Sequence, residues 1–187
     1  MKIPRLYPSI ICATCFAVLI CLVSCSKGHS GASAKPTLYD SLGGTAMVQD
    51  PTNTGTMIEK GRLGIRSVVD STIFVIAADT AINGFFSVLL KEVTSGNTSG
   101  FMALSKNLTD FFCVGTGAKD YQYTGKNMHD AHNPSTNSRI NMLVAGDDFN
   151  AFVADLVKGA KKVGLSDQLI AQVGDVVVAQ KGQVVQR

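Results

Sequence analysis

From Ile65 the apolar positions Val68, Val69, Ile73 and Ile76 recur at helical spacing, and Asp79 lies near the end of that segment. The run Ile73 to Ala78 is nearly continuous in apolar residues, so a buried strand competes there; the length of the pattern favours a helix. A second stripe runs through Phe101, Leu104, Leu108, Phe111 and Phe112, until Gly115 and Gly117 break it. The clearest pattern begins near Asp147-Asp148, where carboxylates suit a helix N-terminus. Phe149, Phe152, Val153, Leu156, Val157, Ala160 and Val163 then mark one face. Lys158, Lys161 and Lys162 crowd its last turns, where cations favour the helix dipole, and Gly164 supplies the stop. Those lysines read as a solvated helix end rather than a docking patch. Ser166 opens a last helix with Leu169, Ile170, Val173, Val176 and Val177 inward, although valines and Gly174 are poor helix formers. The expectation is an all-α domain without a hairpin.

Composition adds a bound. The 187 residues suit one domain plus a short extra segment, with 45% hydrophobic and 17% charged residues. That excludes a disordered charged chain, and a net charge of +3 gives no sign of a nucleic-acid binder. Part of the apolar content sits in the first residues. Lys2 and Arg5 precede an apolar run from Ile10 to Val23, and Leu22-Val23-Ser24-Cys25 matches the bacterial lipobox. The run is shorter than the ~20 residues a membrane span requires. The expected organisation is therefore a signal peptide at 1–24, a lipidated tether at 25–36 beginning with Cys25, and a folded domain at 37–187.

Cleavage removes Lys2 and Arg5 and lowers the net charge from +3 to +1. Cys12, Cys15 and Cys21 leave with the signal and Cys25 takes the lipid, so Cys113 remains without an intramolecular disulfide partner. The chain is expected to be exported and held to a membrane by lipid. Ser26, not aspartate, follows the lipidated cysteine; in a Gram-negative host that points to the periplasmic face of the outer membrane. His29 falls in the Gly- and Ser-rich tether and reads as a solvated side chain.

Chemistry-bearing motifs are scarce: no phosphate-cradling loop, no Gly-x-Ser-x-Gly elbow and no Cys-x-x-Cys pair occur. The segment Met128-His129-Asp130-Ala131-His132 stands out, directly before Asn133-Pro134. Histidines three apart share a helix face, but a zinc site needs two further ligands, and the predicted domain holds no other histidine. Six of the nine phenylalanines, Phe74, Phe85, Phe86, Phe101, Phe111 and Phe112, lie within one stretch. Such a cluster is ordinarily a core. Facing one helix-borne imidazole, it is also the environment of a haem, whose apolar ring is buried and whose iron takes a proximal histidine.

At this point the chain resembles a known family. Leu38-Tyr39-Asp40-Ser41-Leu42-Gly43-Gly44 looks like the opening motif of group I truncated haemoglobins. Asn83-Gly84-Phe85-Phe86 is similar to their turn after the second helix, and Tyr123-Thr124-Gly125 through His132 to their Tyr-Thr-Gly…Met-x-x-x-His segment. The resemblance runs from about Leu38 to Val185 and implies an all-α, two-over-two truncated globin that binds haem b. It implies that His132 is the proximal iron ligand and that Phe86 packs on the haem face. Met128 and Tyr123 then line the haem near its edge, Phe111 and Phe112 form a hydrophobic wall, and His129 is a surface residue. The family usually places a distal tyrosine, often helped by a glutamine, beside the gas. Here Ile73, Leu104 and Leu108 fall at the ligand-facing positions, with Asn107 replacing Leu108 if the register slips. Extra residues are expected after Gly44, after Phe86 and between His132 and Phe149.

The implied function is reversible binding of a diatomic gas, oxygen, CO or NO, with an unknown reductase as a further partner. The alternatives are a haem enzyme on the same scaffold, a nitric oxide dioxygenase or a peroxidase, and a haem-free globin-like lipoprotein.

Overall fold

The computed structural model describes residues 35–187. The expected signal peptide, Cys25 and His29 therefore lie outside the described residues. Four long helices dominate: α2 (Lys60–Ala78), α4 (Ser99–Gly115), α6 (Gly146–Lys162) and α7 (Asp167–Val178). The short helices α3 (Ser87–Thr94) and α5 (Met128–Ala131) and a 3₁₀ turn at Asn83–Phe86 lie between them, while α1 (Leu38–Ser41) precedes and α8 (Lys181–Val184) follows them. The α2–α4 pair packs on the α6–α7 pair, with the largest contact between α2 and α6. The apolar stripes meet there: Ile65, Val68, Val69, Ile73 and Ile76 of α2 are buried against Phe149, Leu156 and Ala160 of α6. The run Ile73 to Ala78 is helical, so the strand alternative is excluded.

Local chemistry explains the helix ends. Thr37 and Asp40 cap α1 reciprocally: Asp40 N donates to Thr37 Oγ1 at 3.1 Å and Thr37 N to Asp40 Oδ2 at 2.7 Å. The Gly43-Gly44 corner then turns the chain so tightly that a Cβ on Gly43 would lie 2.9 Å from the Gly61 nitrogen, and its φ is +132°. α6 starts one residue before Asp147, and Asp148 reaches back to the Ala145 N–H at 2.8 Å. Val163, expected on the inner face of α6, lies just beyond the helix and is 40% exposed, because the last turn runs past the core. α7 begins after Ser166, whose hydroxyl accepts from the Leu169 N–H, and buries Ile170, Val173 and Val177. It is not the last helix, since α8 follows.

The expectation of no hairpin is corrected. Strands β1 (Met47–Gln49) and β2 (Met57–Glu59) pair antiparallel, with Val48 opposite Ile58. Strands of three residues carry too few alternations for a period to show. This hairpin occupies the stretch after Gly44 expected to hold extra residues. Its turn is organised by Asp50, which accepts from the Thr52 N–H at 2.8 Å and takes both arms of Arg66 at 2.7 and 3.0 Å. Arg66 and Thr52 hold the Asp50 carboxyl far below the usual carboxylate range.

Behind the hairpin, Tyr39 Oη donates to Glu59 at 2.5 Å, both residues being buried. Arg62 pairs with Asp110 at 2.7 Å and stacks over the Tyr121 ring at 4.4 Å. Cys113 is fully buried, and burial pushes its thiol up to about 11, which leaves it an unreactive core residue.

Candidate functional site

A cavity of about 420 Å³ opens among α2, the 3₁₀ turn, α3, α4, the segment around α5, and α6. Its wall is mainly apolar. All six clustered phenylalanines line it, with Phe74 at the rim, 66% exposed and 5.9 Å from the Phe101 ring. The structure thus brings together every residue expected at the site: Ile73, Phe86, Leu104, Leu108, Phe111, Phe112, Tyr123, Met128 and His132 all line this one cavity. Asn107 lines it too, beside Leu104 and Leu108, and is the polar group of that stretch.

The phenylalanines reach the cavity from separate elements. Phe85 and Phe86 lie on the 3₁₀ turn, which the chain enters after Asp79 ends α2 and accepts from the Ala81 N–H at 2.9 Å. Phe111 and Phe112 come from the last turns of α4, their rings edge to face at 5.3 Å. Phe111 also meets Tyr123 edge to face at 6.0 Å. The Tyr123 hydroxyl donates to the Lys126 carbonyl at 2.5 Å, which closes the Tyr-Thr-Gly turn and sets the ring against the cavity.

The two histidines part company. His129 is exposed, with Nδ1 3.3 Å from Asp130 Oδ1. His132 caps α5 and lines the cavity. Its Nδ1 lies 2.8 Å from the Met128 carbonyl oxygen, a contact that requires a proton on Nδ1 because the carbonyl can only accept. The neutral ring then carries its lone pair on Nε2. Burial lowers the pKa of His132, outweighing the upward pull of the Met128 carbonyl, so the neutral form is favoured. An apolar chamber with one neutral imidazole in its wall can bury a flat apolar ligand and offer a single nitrogen donor to a metal within it.

Several residues that shape the site were not singled out in the sequence. Asn127 caps α5, its Oδ1 accepting from Asp130 N at 2.8 Å; an Asn three residues before an Asp was the readable signal. Thr136, Asn137 and Gln186 donate to carbonyls of α5, and no local pattern marks such long-reach donors. Arg139 and Glu92 pair at 3.2 Å where the 133–145 loop meets α3, with Arg139 in the cavity wall.

No family model matches the sequence, and no curated protein does either. Solved structures do. The chain is similar to the truncated haemoglobin of Tetrahymena pyriformis in its Fe(III) form, at TM-score 0.57 and 22% identity over 81% of this chain and 100% of that one. A point variant of the same protein gives TM-score 0.58 at 20% identity with the same coverage. The 2/2 haemoglobin of a Synechococcus species, solved in the cyanomet state with covalently attached haem, gives 0.55 at 21% identity and again the same coverage. The four-helix arrangement around this cavity is the all-α fold of the truncated haemoglobins.

Proposed function

We propose that this protein is a haem-binding globin, of the group I truncated type by its motifs, that binds oxygen or another diatomic gas reversibly at a haem b iron held by His132. One observation carries the reading: a single chamber joins the phenylalanine cluster to a neutral imidazole whose Nδ1 is already engaged. The residues fit the group. A volume of about 420 Å³ lies in the range of cofactor sites, roughly 300–1,000 Å³, and the wall is apolar apart from a few polar side chains.

Haem, when bound, supplies an iron that coordinates small gases reversibly. The chain's own residues do the rest. His132 offers Nε2 as the protein ligand, and its Nδ1–H···O=C bond to Met128 fixes tautomer and ring orientation. Phe86, Phe111, Phe112, Tyr123 and Met128, which line the cavity, would hold the group by apolar contact and keep water from it. Ile73, Leu104 and Leu108 make the gas-facing wall apolar.

Absorption spectra of the ferric, ferrous and CO forms test this reading. The wild type should bind one haem per chain with the spectrum of a histidine ligand. His132→Ala should bind haem weakly, with partial rescue by added imidazole, while His129→Ala should keep a nearly normal spectrum. The reverse ranking, or a wild type that takes up no haem, would overturn the assignment.

The same proposal includes export and anchoring through Cys25, supported by the charged start, the apolar run and the lipobox. Each buried acyl CH₂ contributes ~0.8 kcal/mol to the hold. Cys25→Ser should leave an unprocessed precursor without lipid; persistent labelling by a fatty-acid analogue would refute the site.

A further inference from the structure

A single helical turn leaves its carbonyls without intrahelical partners, and so short a helix is unstable alone. α5 has one turn, and His132 follows it directly. The His129 and Asp130 carbonyls take only long backbone bonds, from His132 N at 3.3 Å and Asn133 N at 3.5 Å, and each of the four carbonyls is met by a side chain. Met128 O accepts from His132 Nδ1 at 2.8 Å, and His129 O from Gln186 Nε2 at 2.8 Å. Asp130 O accepts from Thr136 Oγ1 at 2.7 Å, and Ala131 O from Asn137 Nδ2 at 2.7 Å.

Three of these donors lie within six residues of their acceptors and belong to the same local segment. Gln186 is 57 residues from His129. It is also fastened to the frame: its own N–H donates to Val144 O at 2.9 Å, Val185 bridges to Val144, and Val184 is buried. Its side chain works at both ends, since Gln186 Oε1 accepts from Asn133 Nδ2 at 3.0 Å. The amide therefore grips residues 129 and 133, which flank the imidazole, and ties them to α8 and the start of α6.

Resting on the haem reading above, we infer that Gln186 is the positioning residue for His132, setting the height and rotation of the imidazole through the His129 carbonyl and the Asn133 side chain. The one-turn helix is held by its Asn127 cap, its own backbone bonds and nearby donors, and Gln186 adds the tie that fixes it to α8.

The test uses Gln186→Met, which keeps length and volume but removes both hydrogen bonds, with exposed Gln183→Met on α8 as control. In the haem-free protein the His132 and Asn133 amides should exchange hydrogen about tenfold faster, while α6 amides remain as in the wild type. In the loaded protein the iron–imidazole stretching band should shift or broaden, and haem loss should quicken by about tenfold, the lower end of what loss of a ligand-orienting partner does. Gln183→Met should alter none of these. Unchanged amide exchange in Gln186→Met would overturn the tie itself. Faster exchange with an unmoved band and unaltered haem loss would overturn the positioning role. A wild type that takes up no haem would sink the functional reading and this role together, while the exchange arm would still report on the tie.

Discussion

On the haem reading proposed above, a gas ligand would face Ile73, Leu104 and Leu108 in the chamber wall, whose side chains have no O–H or N–H to give. Bound oxygen carries partial negative charge, whereas CO carries little, so a donor on this wall matters mainly to oxygen. A typical hydrogen bond contributes ~0.5–1.5 kcal/mol net, more when a partner is charged. Ile73 is only 8% exposed and lies in the second half of α2, in the cavity wall, so Ile73→Tyr would carry a hydroxyl into that wall. That substitution should slow oxygen release by roughly tenfold, corresponding to about 1.4 kcal/mol, and leave CO release nearly unchanged. Stopped-flow release rates measure it. A wild-type oxygen rate already slow and indifferent to the substitution would mean that Asn107, which shares this wall, supplies the donor.

α2 and α6 cross closely because α6 carries Gly159 at the contact. A Cβ there would lie 2.4 Å from Thr72 Oγ1 and 2.7 Å from the Thr72 backbone nitrogen, too near for either helix to stay in place. Gly159→Ala should therefore destabilise the protein by ~1–3 kcal/mol, the usual cost of overpacking. Gly174, in the interior of α7, is the counter-case, since nothing lies within 4 Å of its would-be Cβ. Gly174→Ala should stabilise by ~0.4–1 kcal/mol, because it lowers the entropy of the unfolded chain without strain. Urea unfolding of both variants distinguishes the cases by sign. Equal effects would mean that helix propensity, not the crossing, governs Gly159.

Among the described residues, ion pairs tie α2 to the hairpin turn and to α4. Arg66 of α2 holds Asp50 of the hairpin turn; Arg62 of α2 and Lys106 hold Asp110 of α4 at 2.7 and 2.6 Å. Burial alone would push the Asp110 carboxyl up, but the Lys106 and Arg62 hydrogen bonds outweigh it and keep it below the usual value. Asp50 is lowered further, first by Arg66. Both carboxyls have folded pKa values below their unfolded ~3.9, so their contribution is complete above that pH and is lost as pH falls through the folded values. Acid titration of unfolding free energy should show stability falling below about pH 4. Asp50→Asn and Asp110→Asn should be less stable at neutral pH and show a flatter acid limb. An unaltered limb in both would assign the acid loss to other carboxylates.

The long helices were legible in the sequence alone, and so was the set of residues that the fold brings to one cavity. Ile65 to Ile76, Phe101 to Phe112 and Phe149 to Ala160 repeat at 3.6-residue spacing, and a local period needs no partner to be read. The Tyr-Thr-Gly…Met-x-x-x-His segment singled out His132, and Asn83-Gly84-Phe85-Phe86 singled out the turn that carries two of the phenylalanines. What belonged to tertiary structure is everything that depends on atoms far apart in the chain. The turn of the hairpin is held by Arg66, which grips Asp50 across 16 residues. Asp155 lies on α6 fully buried, beside Leu156, with Lys158 on one oxygen, although its position in the helical pattern gives no sign of burial. The brace on α5 came from Gln186, 57 residues away. Periodicity records which face of an element avoids water; it does not record which polar group finds a partner on another element, because that depends on the three-dimensional closure of the chain.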